Sequence, residues 1–276
     1  MHISCSVVCY GNTPMQIAEV LRSLAESDNP PSLQILVTLI DNSPEEHLVE
    51  VARQFNATYI HLPNNPGFGA AHNLAIAKAL ATDAQYHLVL NPDTRFQNNV
   101  ISTLASYMEE HRDVGLIMPD IRYPDGSQQF LCKLLPTPYD LLMRRFWPRL
   151  YKLSGRLAQY ELHESGYNKP MNVPALSGCF MLMRTTVLRE VGGFDERFFM
   201  YLEDVDLSRR IGKIARTVYF PYVSITHDYV KGSYRNWKLT AYHVCSAVRY
   251  FNKWGWFSDA EKDEINRSTL RRIKSS

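Results

Sequence analysis

From Ile3 to Met118 the chain alternates short apolar runs of strand length with segments whose apolar residues recur at helical spacing. The runs predict strands at Ile3 to Cys9, Leu33 to Ile40, Ala57 to Leu62, Tyr86 to Leu90 and Val114 to Met118. Between them the pattern predicts helices from Pro14, from Pro44, near Gly69 to Ala81 and near Asn98 to His111. Two of these helices open with capping chemistry, Thr13 before Pro14 and Gln16, and Ser43 before Pro44 and Glu46. A hydroxyl there can accept from an orphan amide, and proline gives up nothing at the first helical position. The alternation implies an α/β chain with a mostly parallel sheet, whose ligands gather beyond the carboxyl ends of the strands.

Past Asp120 the rhythm breaks. Asp125-Gly126 marks a turn, and Tyr139 to Tyr160 is basic, aromatic and helical in period. A strand is predicted at Ala175 to Met183, then a helix after Thr185, an acidic segment around Glu203, a short strand pair near Val218 to Thr226, and a helical C-terminus. The second half therefore reads as an elaboration of one sheet. Residues 1–235 form one domain, with 1–120 and 121–235 as its halves, and 236–276 form a helical extension.

Composition narrows the function classes. With 45% apolar and 21% charged residues, the chain can bury a substantial core, and a net charge of +2 demands no nucleic acid partner. The five cysteines show neither a C-x-x-C pair nor metal-ligand spacing, so they read as buried thiols of a cytosolic protein. No apolar run is long enough to span a bilayer, and the N-terminus lacks the features of a signal peptide.

Candidate chemistry sits at the predicted strand ends. Asp41 and Asn42 end the second strand, where a carboxylate can accept from the imide N–H of a pyrimidine or simply cap a turn. Asn65-Pro66-Gly67-Phe68-Gly69 leads into a helix carrying His72 and Asn73; its glycines can admit a ligand, or serve only the turn. Asn91-Pro92-Asp93 follows the fourth strand, where an oxygen-bound divalent ion would bridge two phosphates; an Asx-Pro turn is the bland alternative. Glu203, Asp204 and Asp206 open a helical segment after the aromatics Phe198, Phe199 and Tyr201. Carboxylates poorly hydrated among aromatics suit a general base with a raised pKa, although acids in a first turn also complement the helix dipole. His227 ends the last short strand, before Asp228, Lys231, Gly232 and Ser233.

Taken in order, Val8 to Asn12, Ile40 to Ser43, Asn65 to Asn73, Asn91 to Asp93, Ser177-Gly178, Gly192 to Asp195, Glu203-Asp204 and His227 resemble family 2 glycosyltransferases over roughly residues 3 to 235. The Asn65 to Asn73 turn and the Gly193 to Asp206 segment look most like bacterial rhamnosyltransferases of surface polysaccharide assembly. The resemblance implies a GT-A fold and a nucleotide-sugar donor, dTDP-β-L-rhamnose, held by Tyr10, Gly11, Asn12, Asp41, Asn65, Gly67, Asn73, Asn91 and Asp93. It implies Mg2+ or Mn2+ on Asp93 and His227, Asp204 as the base of an inverting displacement, and Glu203 and Gly178 at the acceptor. One departure stands out: the aspartate-x-aspartate metal motif of such enzymes reads Asn91-Pro92-Asp93 here.

The acceptor implied is a lipid-linked saccharide or lipopolysaccharide core at the inner membrane face. Two basic aromatic stretches fit peripheral contact there: Arg144, Arg145, Trp147, Arg149, Tyr151 and Lys152, and Arg249, Tyr250, Phe251, Lys253, Trp254 and Trp256. They fit equally a core with solvated cations. Rival functions are an inverting transferase for UDP-galactose or UDP-N-acetylglucosamine, a sugar nucleotidyltransferase, and a non-catalytic assembly subunit. Cys9 to Thr13 lacks the basic residue that a nucleotidyltransferase loop needs, and the intact Glu203, Asp204 and His227 argue for catalysis.

Overall fold

The structure, a computed structural model, describes residues 1–27, 30–97, 99–228 and 237–275. Its strands are β1 (His2–Cys9), β2 (Gln34–Asp41), β3 (Thr58–His61), β4 (Tyr86–Leu90), β5 (Thr94–Arg95), β6 (Val114–Arg122), β7 (Met171–Asn172), β8 (Phe180–Arg184) and β9 (Arg216–His227). Its α-helices are α1 (Pro14–Ala25), α2 (Val49–Gln54), α3 (Phe68–Leu80), α4 (Val100–Glu110), α5 (Pro138–Phe146), α6 (Pro148–Leu153), α7 (Arg156–Tyr160), α8 (Thr185–Val191), α9 (Glu203–Ile211), α10 (Trp237–Trp254) and α11 (Ala260–Ser275). One sheet runs β3-β2-β1-β4-β8-β6-β9-β5, with β7 on β9. The pairs β1/β2, β2/β3, β1/β4 and β6/β9 are parallel, whereas β8 runs antiparallel to both β4 and β6. The carboxyl ends of β1, β2 and β4 and the amino end of β8 therefore share one edge of the sheet.

Alternation along β1 explains why helices cover both faces. Ile3, Cys5 and Val7 pack in one cluster with Ile17, Val20 and Leu21 of α1, while Val8 packs with Ile40 and with Ala71 and Ala75 of α3. On the α3 side the Ser6 hydroxyl meets His72 Nδ1 at 2.6 Å and His87 Nε2 at 3.0 Å. Both imidazoles are fully buried, and burial drives His72 well below its ordinary pKa and His87 down to about 3. The unfolded chain takes up protons on these rings near pH 6.5 and the folded chain does not, so their contribution to stability is present above that pH and is lost as it falls. His243, pushed down to about 4, acts with the same sign, while Glu203, pushed up, and exposed His47, raised, oppose it. Urea unfolding is expected to show stability falling between pH 7 and pH 5; a flat or rising profile would refute the neutral buried pair.

Several boundaries depart from the sequence pattern. The capping box of Thr13 and Gln16 forms as expected. The Ser43 one does not: α2 begins at Val49, because the Ser43 hydroxyl accepts from the Gly11 amide at 2.9 Å instead. The strand expected from Ala175 starts only at Phe180, since the Leu176 and Gly178 amides donate to the side chains of Ser208 and Asp204. The strand pair near Val218 is one bulged strand, β9, whose register on β6 slips beyond Phe220, next to Pro221, which has no N–H for the ladder. Cys245 is exposed, unlike the other four thiols, which are buried; all are free. Asn98, Lys231, Gly232 and Ser233 lie outside the described residues.

Candidate active site

At the shared edge, Tyr10 stands 62% exposed beyond β1, followed by Gly11 at φ 68°. The Asn12 side chain accepts from the Tyr10 amide and so shapes this turn. Asp41, by contrast, is wholly buried: its oxygens accept from the Ser43 amide and from the Tyr59 hydroxyl, each at 2.9 Å. Of the two readings the sequence left open, the observed contacts are those of a turn cap. Asp41 organises the β1 and β2 ends.

Asp93 and His227 meet because β5 pairs antiparallel with β9, with Thr94 opposite His227. His227 Nε2 lies 3.3 Å from Asp93 Oδ1 and 3.4 Å from Asn91 Nδ2. The network around Gln129 assigns the tautomer. Its Nε2 donates to the carbonyls of His227 and Arg122, so its Oε1 faces His227 Nδ1 at 3.0 Å and takes that proton. Nε2 then points a lone pair at Asp93 Oδ1, a buried oxygen with no hydrogen-bond partner among the described residues. Two acceptors this close call for positive charge between them, a proton or a divalent cation. The donors present, a carboxylate, an imidazole and the Asn91 amide, fit such a cation if its remaining ligands come from elsewhere. Among the described residues no three His, Cys, Asp or Glu side chains are grouped so that they alone could hold a metal ion. Gln129, which orients the imidazole, carries no signal in the sequence.

The acidic segment lies on the other side of the Ser177 to Cys179 turn. Asp204 Oδ2 accepts from the Gly178 amide at 3.0 Å and Oδ1 from the Val205 amide at 2.8 Å, which fixes the carboxylate at the mouth of a cavity. The next residue, Cys179, accepts through its carbonyl from the Asn91 amide at 2.9 Å. One dipeptide step thus joins the Asp93 side to Asp204. Tyr201 and Leu202, just before the acids, both hold positive φ, a strained approach of the kind found where function requires it. The limited hydration expected of the acids falls on Glu203. Burial, reinforced by the Asp204 charge, pushes its carboxyl well up, and its Oε2 has no partner among the described residues. Phe199 and Tyr201 pack on Tyr242 and His243 of α10, and Tyr201 also lines the cavity that Asp204 borders.

The Asn65 to Asn73 segment does not offer a free helix end to a ligand. The Asn65 side chain accepts from the Gly67 amide and from Asn42, and the Phe68 amide at the start of α3 donates to the Phe199 carbonyl at 2.9 Å. A Cβ on Gly67, at φ 98°, would lie 2.4 Å from that carbonyl, so the glycine admits protein backbone. The Asn73 amide is spent on the backbone of Phe194 and on Glu196. Asn65, Gly67 and Asn73 thus brace the loop that leads to Asp204.

Lys133, Arg144, Arg145, Tyr160, Tyr201 and His243 face Glu203 and Asp204 across this cavity of about 200 Å³. The first basic aromatic stretch keeps an apolar outward face. Phe146, Trp147, Leu150 and Leu153 are exposed beside Arg149 and Lys152, although Tyr151 is buried on Asp140. In the second stretch Tyr250 and Phe251 are core, the Trp254 indole donates to Asp206, and Lys253 pairs with Asp195 and Asp206, while Arg249 and Trp256 stay exposed. No described helix is long and apolar enough to cross a membrane.

Comparison with known proteins bears on this arrangement. The family described as "Glycosyltransferase like family 2" matches residues 2–243. An N-acetylglucosaminyl-diphospho-decaprenol L-rhamnosyltransferase of Mycobacterium tuberculosis is 32% identical over 236 residues, covering 80% of this chain and 74% of its own. Rhamnosyltransferase WbbL of Escherichia coli is 25% identical, covering 90% of this chain and 94% of its own. S. aureus TarS superposes with TM-score 0.59 at 20% identity over 99% of this chain, which spans only 43% of TarS. The mannosyltransferase PcManGT of Pyrobaculum calidifontis, solved with GDP-Man and Mn2+, superposes with TM-score 0.57 at 15% identity, covering 99% of this chain and 75% of its own. The sheet order, the site at its carboxyl edge and the family match together establish that this chain belongs to glycosyltransferase family 2 and is a glycosyltransferase of GT-A fold.

Proposed function

We propose that this glycosyltransferase moves L-rhamnose from dTDP-β-L-rhamnose to a hydroxyl of a lipid-linked saccharide or lipopolysaccharide acceptor, with inversion at the anomeric carbon. The donor is drawn from the two relatives named as rhamnosyltransferases. The observation that carries the mechanism is the Gly178–Cys179 step, whose amide holds Asp204 and whose carbonyl holds Asn91. A base on one side and a diphosphate on the other suit a single in-line displacement. Asp204 takes the acceptor proton as its oxygen attacks, and the nucleoside diphosphate leaves from the opposite face. Asp93 and His227, with Asn91, would hold Mg2+ or Mn2+, whose chemistry is to neutralise charge on the leaving diphosphate. Tyr10 offers an exposed ring to the base. The outward face of α5 and α6 would rest on an anionic bilayer, apolar side chains inserted and Arg149 and Lys152 at the headgroups.

The experiment is a panel of dTDP-rhamnose, UDP-galactose and UDP-N-acetylglucosamine, each with and without Mn2+ or Mg2+, scored for binding and slow donor hydrolysis. Release of dTDP from dTDP-rhamnose alone is expected; preference for a UDP-sugar would overturn the donor. In the same assay, Asp93→Ala and His227→Ala are expected to weaken dTDP binding about tenfold or more with metal present and little without it. Equal loss in both conditions would mean that the pair contacts nucleotide or supports the fold.

A further inference from the structure

The cavity beside Asp204 holds more positive charge than its acids account for. Lys133 lines it, anchored by its own backbone amide on Ala175, and its ammonium makes no hydrogen bond or ion pair with any described residue. Arg144 lines the same wall, over the Tyr160 ring and 3.9 Å from Glu161. Burial and the neighbouring Arg144 charge hold the Lys133 ammonium below its ordinary range, against the pull of Asp204 and Glu161. The same cations reach His243 at the far side of the cavity, which burial, Arg144, Arg145 and Lys133 push down to about 4. A partly buried ammonium set against an arginine is a costly arrangement, and a bound anion removes the cost.

The position of the cavity says what kind of molecule would bring that anion. Leu141, Arg144 and Arg145 of α5 line the cavity, while Leu142 and Phe146 of the same helix are 50% and 51% exposed on its outer side. Trp147, Leu150 and Leu153 continue the exposed apolar surface along α6. From the base outward the order is therefore carboxylate, cationic wall, one helix, apolar surface. A sugar hydroxyl, a phosphate ester and an alkyl chain follow the same order along one molecule.

We propose that Lys133, with Arg144, binds a phosphate ester carried by the acceptor and so selects phosphorylated over neutral acceptors. This rests on the acceptor side lying at Asp204. Lys133 acts on substrate binding and takes no part in proton transfer, so its loss reads in acceptor affinity and KM more than in kcat.

The test uses the full chain and three synthetic probes: an octyl ester of a hexose 1-diphosphate, an octyl hexoside 6-phosphate, and the neutral octyl hexoside. Binding is measured by calorimetry for wild type, Lys133→Gln and Lys133→Arg, with dTDP affinity as the control for folding. Wild type is expected to bind at least one phosphorylated probe tenfold or more tighter than the neutral one. The probe that shows the gain tells an anomeric diphosphate from a phosphate elsewhere on the sugar. Lys133→Gln should lose most of that ratio while its affinity for the neutral hexoside stays within about twofold, and Lys133→Arg should keep most of it. Equal binding of all three probes by wild type, or a parallel fall for charged and neutral probes in Lys133→Gln, overturns the proposal. Failure of the transferase reading shows separately, as no dTDP binding and no donor hydrolysis with any nucleotide sugar.

Discussion

Asp204→Asn is expected to leave nucleotide affinity intact while turnover with a defined acceptor falls roughly a hundredfold or more, the usual scale of a lost general base. Asparagine keeps the side-chain shape, and its oxygen can still accept from the Gly178 or the Val205 amide, but it cannot take a proton. On the proposed reading donor binding is not at stake, because Asp93 and His227 lie across the Gly178–Cys179 step from Asp204. Glu203 cannot stand in, since burial and the adjacent charge favour its protonated form. The pairing of a buried acid with an accessible carboxylate is itself an assignment of roles. Near wild-type turnover in Asp204→Asn, or donor affinity falling in step with rate, would remove Asp204 as the base. Asp195 is not a ready substitute, being paired with Arg197 and Lys253.

Asp206→Ala is expected to cost about 3–5 kcal/mol of stability, the scale for removing one partner from a buried charge network. From sequence alone Asp206 reads as a helix-start acid of minor consequence. In the structure it is wholly buried and accepts from Arg210 Nε and Trp254 Nε1, each at 2.8 Å, with Lys253 Nζ at 2.7 Å. Its removal leaves the part-buried Arg210 and Lys253 charges without this acceptor and unties α10 from α9. Thermal unfolding should drop by on the order of 10 °C in a chain of this size. Activity per folded molecule at low temperature should suffer far less than in Asp204→Asn. A melting temperature within a degree or two of wild type would show that Asp206 is not the tie between the extension and the catalytic helix.

Alternating runs, capping boxes and turn dipeptides are local signals, and they marked out the α/β class, the parallel half of the sheet, α1, α3 and the strand-end placement of Tyr10, Asn91 and Asp93. The order of motifs along the chain was enough to show the family. What a side chain does once there depends on partners far away in sequence, and local pattern carries no trace of them. Ser43 looked like a helix cap and became the acceptor for Gly11; Asp41 could serve a base or a turn, and its two oxygens accept from Ser43 and Tyr59. The glycine turn at Gly67 could admit a ligand or serve only the turn, and the carbonyl of Phe199 approaches it closely. Which of two adjacent acids stays accessible was decided by the fold, because burial of Glu203 and the amides on Asp204 come from segments that meet only in three dimensions. Lys133 and Gln129 stand in no motif at all. Only packing brings one into the cavity beside Asp204 and the other against His227, since desolvation and hydrogen-bond geometry belong to the folded surroundings and not to the order of residues.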